Sequence, residues 1–469
     1  MSQKNEIVPL VLSILITLGM LAIGVLWFKN VSGGRWGDGN IEINTSPATP
    51  ERLEERISFG EKTFIAEQGS REKQAGIEAI ARSNFNSAIS NLEAALKTNK
   101  NDPEALIFLN NARIGTRKSY TIAVIVPIGN DLNGAMETLR GVAQAQNEIN
   151  QAGGIKGIPL KVAIANDDDK PETAQKIATA LVNKPEVLGV VGPVSSDVSL
   201  AAGTVFKSGQ LVAISPTSTS IKLSNFSPYF FRTVPSDYVA ARALGDYMVT
   251  KLQRQNAAVF FNSQSAYSQS LKAEFATAVS LGGGQVVSEF DLSNSGFSAA
   301  QSVEQARKQG AQVLMLATDT DTLDKALQVV GINRKRLNLL GGDDVYTKKT
   351  LEVGGEQAVG MVVAVPWQID ANPKSEFPGS SRQLWGADVS WRTALSYDAT
   401  QALIAALDRN PTRRGVQQAL ASSDFSTTGA SGVIRFLRSG DRNATVQLVK
   451  IVPGNRSRTG YDFAPVSQQ

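Results

Sequence analysis

The stretch Val187-Leu-Gly-Val-Val-Gly-Pro-Val-Ser-Ser-Asp197 holds one beat of a repeating pattern. Five apolar or small residues, 187–191, run without a charge and stop at Gly-Pro, and a Ser-Ser-Asp cluster then leads into a helical pattern over 198–206. A short apolar run bounded by turn residues reads as a strand buried on both faces. Serine or aspartate at its exit is suited to cap the helix that follows. The beat recurs in both directions. Upstream, strand patterns at 120–127 and 160–165 alternate with helical patterns over 136–151 and 172–183. Downstream, strands at 210–214, 256–261, 285–290, 312–316 and 338–340 alternate with helices over 238–252, 269–281, 299–309 and 320–330. Such alternation predicts α/β architecture with parallel sheets covered by helices. Residues 119–469 are too many for a single core, which stops growing at about 250–300 residues, so two α/β lobes are expected.

The whole chain has 469 residues, which suggests about three domains. Apolar residues make up 42% and charged residues 19%, a globular balance. Cysteine and histidine are both absent. That excludes disulfides, thiolate zinc sites, cysteine nucleophiles, Ser-His-Asp triads and any histidine base. A net charge of +4 indicates no nucleic-acid partner. No cofactor or metal is expected.

Ile7 to Phe28 runs twenty-two residues without a charge, about 33 Å as a helix, which matches a hydrocarbon core of about 30 Å. It is longer than the apolar part of a signal peptide and runs straight into Trp27-Phe28-Lys29 without a small-residue cleavage site. The expectation is an uncleaved anchor in the cell (inner) membrane at 7–28, a cytoplasmic tail of residues 1–6, and the bulk of the chain on the periplasmic or extracytoplasmic side. Residues 29–52, rich in Gly, Asn, Ser, Thr and Pro, read as a flexible linker. From about Leu53 to 118 the pattern is helical. Gly76, Phe85, Ala88, Leu92 and Ala95 sit where a tetratricopeptide repeat places its packing residues, and Leu106 follows Glu72 by the repeat's period of thirty-four. The same pattern also suits a plain helical hairpin used as a spacer; a protein partner at this segment is one of its possible uses.

In a doubly wound sheet the ligand sits beyond the carboxyl ends of the strands. The loop after 187–191 ends in Ser195-Ser196-Asp197, and the loop after 210–214 reads Ser215-Pro-Thr-Ser-Thr-Ser220. Hydroxyls and backbone N–H groups at a helix N-terminus suit a compact anion such as a carboxylate. These loops lack the Walker lysine and the dinucleotide glycine pattern, so nucleotides are not indicated. Later strand ends carry acids instead: Asp319 and Asp321 after 312–316, and Asp343-Asp344 after a Gly-Gly bend. Carboxylates there suit an ammonium. Asp167-Asp168-Asp169 is read as a solvated strand end, not as paired catalytic acids.

Ile149-Asn-Gln-Ala-Gly-Gly-Ile-Lys-Gly157, Val191-Gly-Pro-Val-Ser-Ser196, Ile214-Ser-Pro-Thr-Ser-Thr219 and Phe231-Arg-Thr-Val-Pro-Ser-Asp237 occur in an order and at intervals that resemble the type I periplasmic binding proteins of the leucine/isoleucine/valine-binding branch, from about Tyr120 to Gln447. The resemblance implies two Rossmann-like lobes joined by a three-strand hinge, lobe 1 over 119–236 and 367–440 and lobe 2 over 237–366 and 441–469. It places a carboxylate ligand at Ser196, backbone and hydroxyl contacts at Thr217, Ser218 and Thr219, the acid for an ammonium at Asp343, and a closing aromatic at Tyr267. Asp319 stands where the family can have tyrosine, and the first loop, 127–134, lacks an aromatic wall. Both departures enlarge or polarise the side-chain pocket and put leucine, isoleucine or valine in doubt as the ligand. The resulting expectation is a solute-binding protein that captures an amino acid or related small molecule for the permease of an ABC importer. The alternative is a sensor or scaffold using the same module, and an enzyme is not expected.

Overall fold

The computed structural model describes residues 53–65, 70–372 and 374–466. The apolar run at 7–28 lies outside them, and among the described residues no helix is long and apolar enough to cross a membrane.

A 3-10 turn, Leu53–Arg56, leads into a two-residue strand β1, Ile57–Ser58. Three helices follow: α1 (Arg71–Ala81), α2 (Phe85–Thr98) and α3 (Pro103–Ile114). The helical reading from Leu53 therefore holds only from Arg71. The first residues instead pair antiparallel with β3 (Leu160–Asn166), Ile57 opposite Ala165. Helices α1 and α2 pack as a hairpin, with Gly76 against Leu92 so closely that a Cβ would come within 2.7 Å of its Cγ. Lys73, 1% exposed, reaches Asp102 at 2.7 Å and Glu104 at 2.8 Å, fastening α1 to the start of α3. Helix α3 is buried at all but Arg113. Its Asn111 side-chain amide donates to the Val162 carbonyl at 2.7 Å and accepts from the Val162 amide at 3.1 Å. The third helix is thus part of the lobe 1 core.

Lobe 1 proceeds through β2 (Tyr120–Val126), α4 (Leu132–Gln151), β3, α5 (Pro171–Val182), β4 (Val187–Val191), α6 (Ser196–Ser208), β5 (Ala213–Ser215) and β6 (Phe230–Arg232). Its sheet runs β1-β3-β2-β4-β5-β6, parallel except for β1. The central strands are apolar throughout because both faces are covered; residues 122–126 are fully buried. Where β4 turns out of the sheet, Gly192 has φ 100° and a Cβ there would lie 2.5 Å from the Ile125 carbonyl oxygen, which only glycine permits.

Lobe 2 contains α7 (Asp237–Asp246), extended by a π turn at Tyr247–Lys251, then β7 (Asn256–Phe261), α8 (Ala266–Leu281), β8 (Gln285–Asp291), α9 (Ala299–Lys308), β9 (Val313–Ala317), α10 (Leu323–Asn333), β10 (Asn338–Gly341), α11 (Lys348–Ala358) and β11 (Val362–Val365). Helix α10 starts three residues later than the sequence pattern suggests, because the Asp319 carboxylate takes the Thr322 amide at 3.1 Å and its hydroxyl at 2.6 Å and holds 319–322 as a turn. The chain then returns to lobe 1 for α12 (Phe377–Trp385), α13 (Trp391–Arg409), α14 (Arg413–Ala421) and a small hairpin, β12 (Thr427–Gly429) with β13 (Gly432–Ile434). Strands β14 (Gln447–Pro453) and β15 (Tyr461–Pro465) finish lobe 2 as antiparallel additions, giving the order β15-β14-β11-β10-β9-β7-β8. Both sheets are therefore mixed, where parallel sheets were expected. The chain passes between lobes three times, after β6, after β11 and ahead of β14. The last passage comes later than 440: Asp441 still binds Arg232 of lobe 1 at 2.7 Å, and Arg442 lies 3.8 Å from Asp398 of α13.

Candidate functional site

The carboxyl ends of both sheets face a cavity of about 320 Å³ between the lobes, a size at the lower end of small-molecule sites, about 300–1,000 Å³. Lobe 1 lines it with Pro127 and Asp131 after β2, Asp169 and Pro171 after β3, Val194–Asp197 after β4, Thr217 after β5, and Trp391 and Arg392 at the head of α13. Lobe 2 contributes Asn262, Gln264, Ser265 and Tyr267 after β7, Asp319–Asp321 after β9, and Asp343 and Asp344 after β10.

The hydroxyl loops divide their labour. Ser195 caps α6 by accepting from the Val198 amide at 3.4 Å. The Ser196 hydroxyl, at the cavity, accepts from the Ser220 amide at 3.2 Å, and the Thr217 hydroxyl donates to the Val194 carbonyl at 2.6 Å. Ser218 does not line the cavity. Its hydroxyl is held by Ser199 at 2.8 Å, Ser215 at 2.9 Å and the Val194 carbonyl at 3.0 Å, an internal knot joining the two loops. Thr219 is also turned to other work: it is buried beside the Asp237 carboxylate, without a hydrogen bond of normal geometry. Four of the expected hydroxyl positions thus split into two at the cavity and two behind it.

In lobe 2 the Tyr267 hydroxyl donates to Asp343 at 2.7 Å, both side chains being buried. Burial raises the Asp343 pKa against the opposing effects of Tyr267 and of the Arg392 charge. Asp319 accepts from the Asn262 side-chain amide at 2.7 Å. The lobes meet at several points around the cavity. Asp197 accepts from the Ala266 amide at 2.9 Å, Arg392 donates to Asp344 at 2.6 Å, and the Ile221 amide donates to the Ser270 hydroxyl at 3.0 Å. At the outer edge Arg456 of lobe 2 pairs with Asp370 and Asp388 of lobe 1.

Trp391 and Arg392 have no signal in the strand-end loops, since they arrive on a helix after the chain has re-entered lobe 1. The sequence places Asp169 at a solvated strand end, yet it reaches the cavity because Asp168 and Asp169 both adopt φ above 50° and fold the segment inward. Its carboxyl pKa is pushed up to about 6, first by burial and then by the charges of Asp321 and Asp131, against hydrogen bonds from Ser195 and Asn130. Among the described residues no three carboxylates converge closely enough to hold a metal ion.

The family model for periplasmic binding protein matches residues 119–456. An amino acid binding protein of Pseudomonas aeruginosa is 27% identical over 277 residues, 57% of this chain and 72% of its own length. A leucine-specific-binding protein of Salmonella typhimurium is 24% identical over 309 residues, 64% of this chain and 80% of its own. Among solved structures, the branched-chain amino acid transporter substrate binding protein of Streptococcus pneumoniae in complex with isoleucine shares the fold at a TM-score of 0.65 and 19% identity, over 74% of this chain and 100% of that one. The family match runs through both lobes and all three passages between them, so the chain belongs to the periplasmic binding protein family, a family of solute-binding proteins and not of enzymes.

Proposed function

We propose that this protein is the extracytoplasmic substrate-binding component of an ABC importer and closes its lobes around an α-amino acid or a related carboxylate or amide solute. The observation that carries this reading is the polarity of the cavity. Hydroxyls and the N-terminus of α6 lie on lobe 1, at Ser196 and Thr217, and a buried carboxylate backed by a tyrosine lies on lobe 2, at Asp343 and Tyr267. The first end suits the ligand's carboxylate and the second its ammonium. The names of the relatives, amino acid binding and leucine-specific-binding, support the same solute class. The segment 7–28 would hold the module to the cell membrane as a single-pass anchor with residues 1–6 inside, beside its permease.

The test is a thermal melt of the full chain against the common amino acids, short amides and simple carboxylates. A ligand at a hundred times its dissociation constant stabilises by about 2.7 kcal/mol. At least one α-amino acid is expected to give such a shift; a flat response across all of them rejects the amino-acid reading.

A second reading, a ligand sensor or scaffold with tetratricopeptide-like helices as its contact surface, draws support from the attachment of α1–α3. Because α3 is pinned to β3 through Asn111, a partner held by the helices would be held rigidly to lobe 1.

A further inference from the structure

The negative charge around the cavity exceeds what an amino acid's α-ammonium needs. Arg392 is the one cation among the described lining residues, and it is engaged with Asp344. Asp197 and Asp319 are held by an amide each, at Ala266 and Asn262. Asp343 is the acid assigned to the α-ammonium. Asp131 caps α4 by accepting from the Gly134 amide at 2.9 Å and lies within reach of the Arg392 charge. That leaves Asp169 and Asp321 without a cation. Asp169 of lobe 1 and Asp321 of lobe 2 face each other across the cleft, sharing the Asn130 side-chain amide at 3.5 Å and 3.4 Å. Oδ1 of Asp169 is buried and closes no hydrogen bond of normal geometry, although the Ser195 hydroxyl lies beside the carboxylate. A partly desolvated carboxylate facing other carboxylates takes up either a proton or a cation, and the upward shift of Asp169 to about 6 is the proton alternative. A branched apolar side chain laid against these groups would desolvate them further and neutralise none.

We infer that this end of the cavity receives a second positive charge, and that the ligand is an α-amino acid with a cationic side chain, of the lysine, ornithine and arginine class. This rests on the amino-acid reading given under Proposed function. A metal ion is a poor match, because the acids do not converge on one point.

The experiment is calorimetric titration of the full chain with lysine, ornithine, arginine, leucine, isoleucine and putrescine. At least one basic amino acid is expected to bind about 100-fold more tightly than leucine, and putrescine, which lacks the carboxylate, to bind far more weakly than lysine. Asp169→Asn is expected to lower the ratio of basic-amino-acid to leucine affinity about 10-fold or more, and Asp321→Asn, at an exposed carboxylate, to lower it about 2- to 5-fold. Asparagine is the right replacement at 169 because it tolerates the φ of 56° there. Leucine or isoleucine binding as tightly as the basic amino acids overturns the inference but leaves the amino-acid reading standing. Putrescine binding as tightly as lysine overturns the amino-acid reading itself, and the inference with it. The titrations of the parent chain decide these points even if a variant fails to fold.

Discussion

Arg392 at the head of α13 in lobe 1 donates to the Asp344 carboxylate of lobe 2 at 2.6 Å, and the two side chains are 10% and 21% exposed. The pair exists only while the lobes are together. Opening the cleft returns both charges to water, so the pair's net contribution is to the balance between open and closed states and not to the core of either lobe.

Replacing Arg392 by glutamine should therefore leave Asp344 uncompensated in the closed form. Removing one partner of a buried pair costs about 3–5 kcal/mol, and partial exposure puts this case at the lower end. Ligand affinity should fall about 100-fold in a titration, while the melting temperature without ligand moves little. A large loss of ligand-free stability with unchanged affinity would show that the pair belongs to the fold and not to closure.

Ser218→Ala and Asp343→Asn should fail in opposite ways. The Ser218 hydroxyl ties three groups inside lobe 1, so its loss should lower stability by about 1–3 kcal/mol in a denaturant melt with little change in ligand affinity. Asp343→Asn preserves shape and should leave the melt near the parent, but it removes the partner of the ammonium and should weaken binding at least about 100-fold.

Asp237 opens lobe 2 at the first passage between lobes and is 1% exposed; the Ser270 and Thr219 hydroxyls lie beside its carboxylate, but neither oxygen closes a hydrogen bond of normal geometry. Burial pushes its pKa from 3.8 up to about 7. Between these values the native state keeps a proton that the unfolded chain releases, so stability from this group is full below about pH 4 and lost as pH rises through 7, at most about 4 kcal/mol. Asp237→Asn should match the parent's melting temperature at pH 4 and exceed it by several degrees at pH 8. An equal difference at both pH values would contradict the burial of an ionisable carboxyl here.

A chain beginning at residue 119 should fold poorly and one beginning at residue 52 should fold well. The first cut removes α3, buried along nearly its whole length, and β1, the edge partner of β3. The second keeps the compact unit Arg52–Gln469 whole. Cooperative melts of equal midpoint for both fragments would refute the assignment of α3 to the lobe 1 core.

The alternation of strands and helices was legible because each central strand is buried on both faces and so reads as an unbroken apolar run. Strands β14 and β15 were not, because they add antiparallel beyond β11, outside the strand–helix alternation, and are only partly buried. At the site, hydroxyl clusters marked the correct loops but not the individual side chains. Ser196 and Ser218 have the same chemistry, and only the fold decides that one reaches the cavity and the other is consumed by Ser199 and Ser215. Asp169 was hidden for another reason, since three consecutive acids look solvated until the positive φ at 168 and 169 turns one inward.

Closure around a ligand can be read directly, because the chain has no cysteine of its own and accepts a specific label pair. Glu172→Cys at the start of α5 and Asp324→Cys at the start of α10 lie on exposed positions of opposite lobes near the cleft. A spin-label distance measurement on this double variant of the full chain should show a longer population without ligand and a shift to a single short distance at saturation. The same distance distribution before and after saturation with an amino acid that binds would contradict capture by lobe closure.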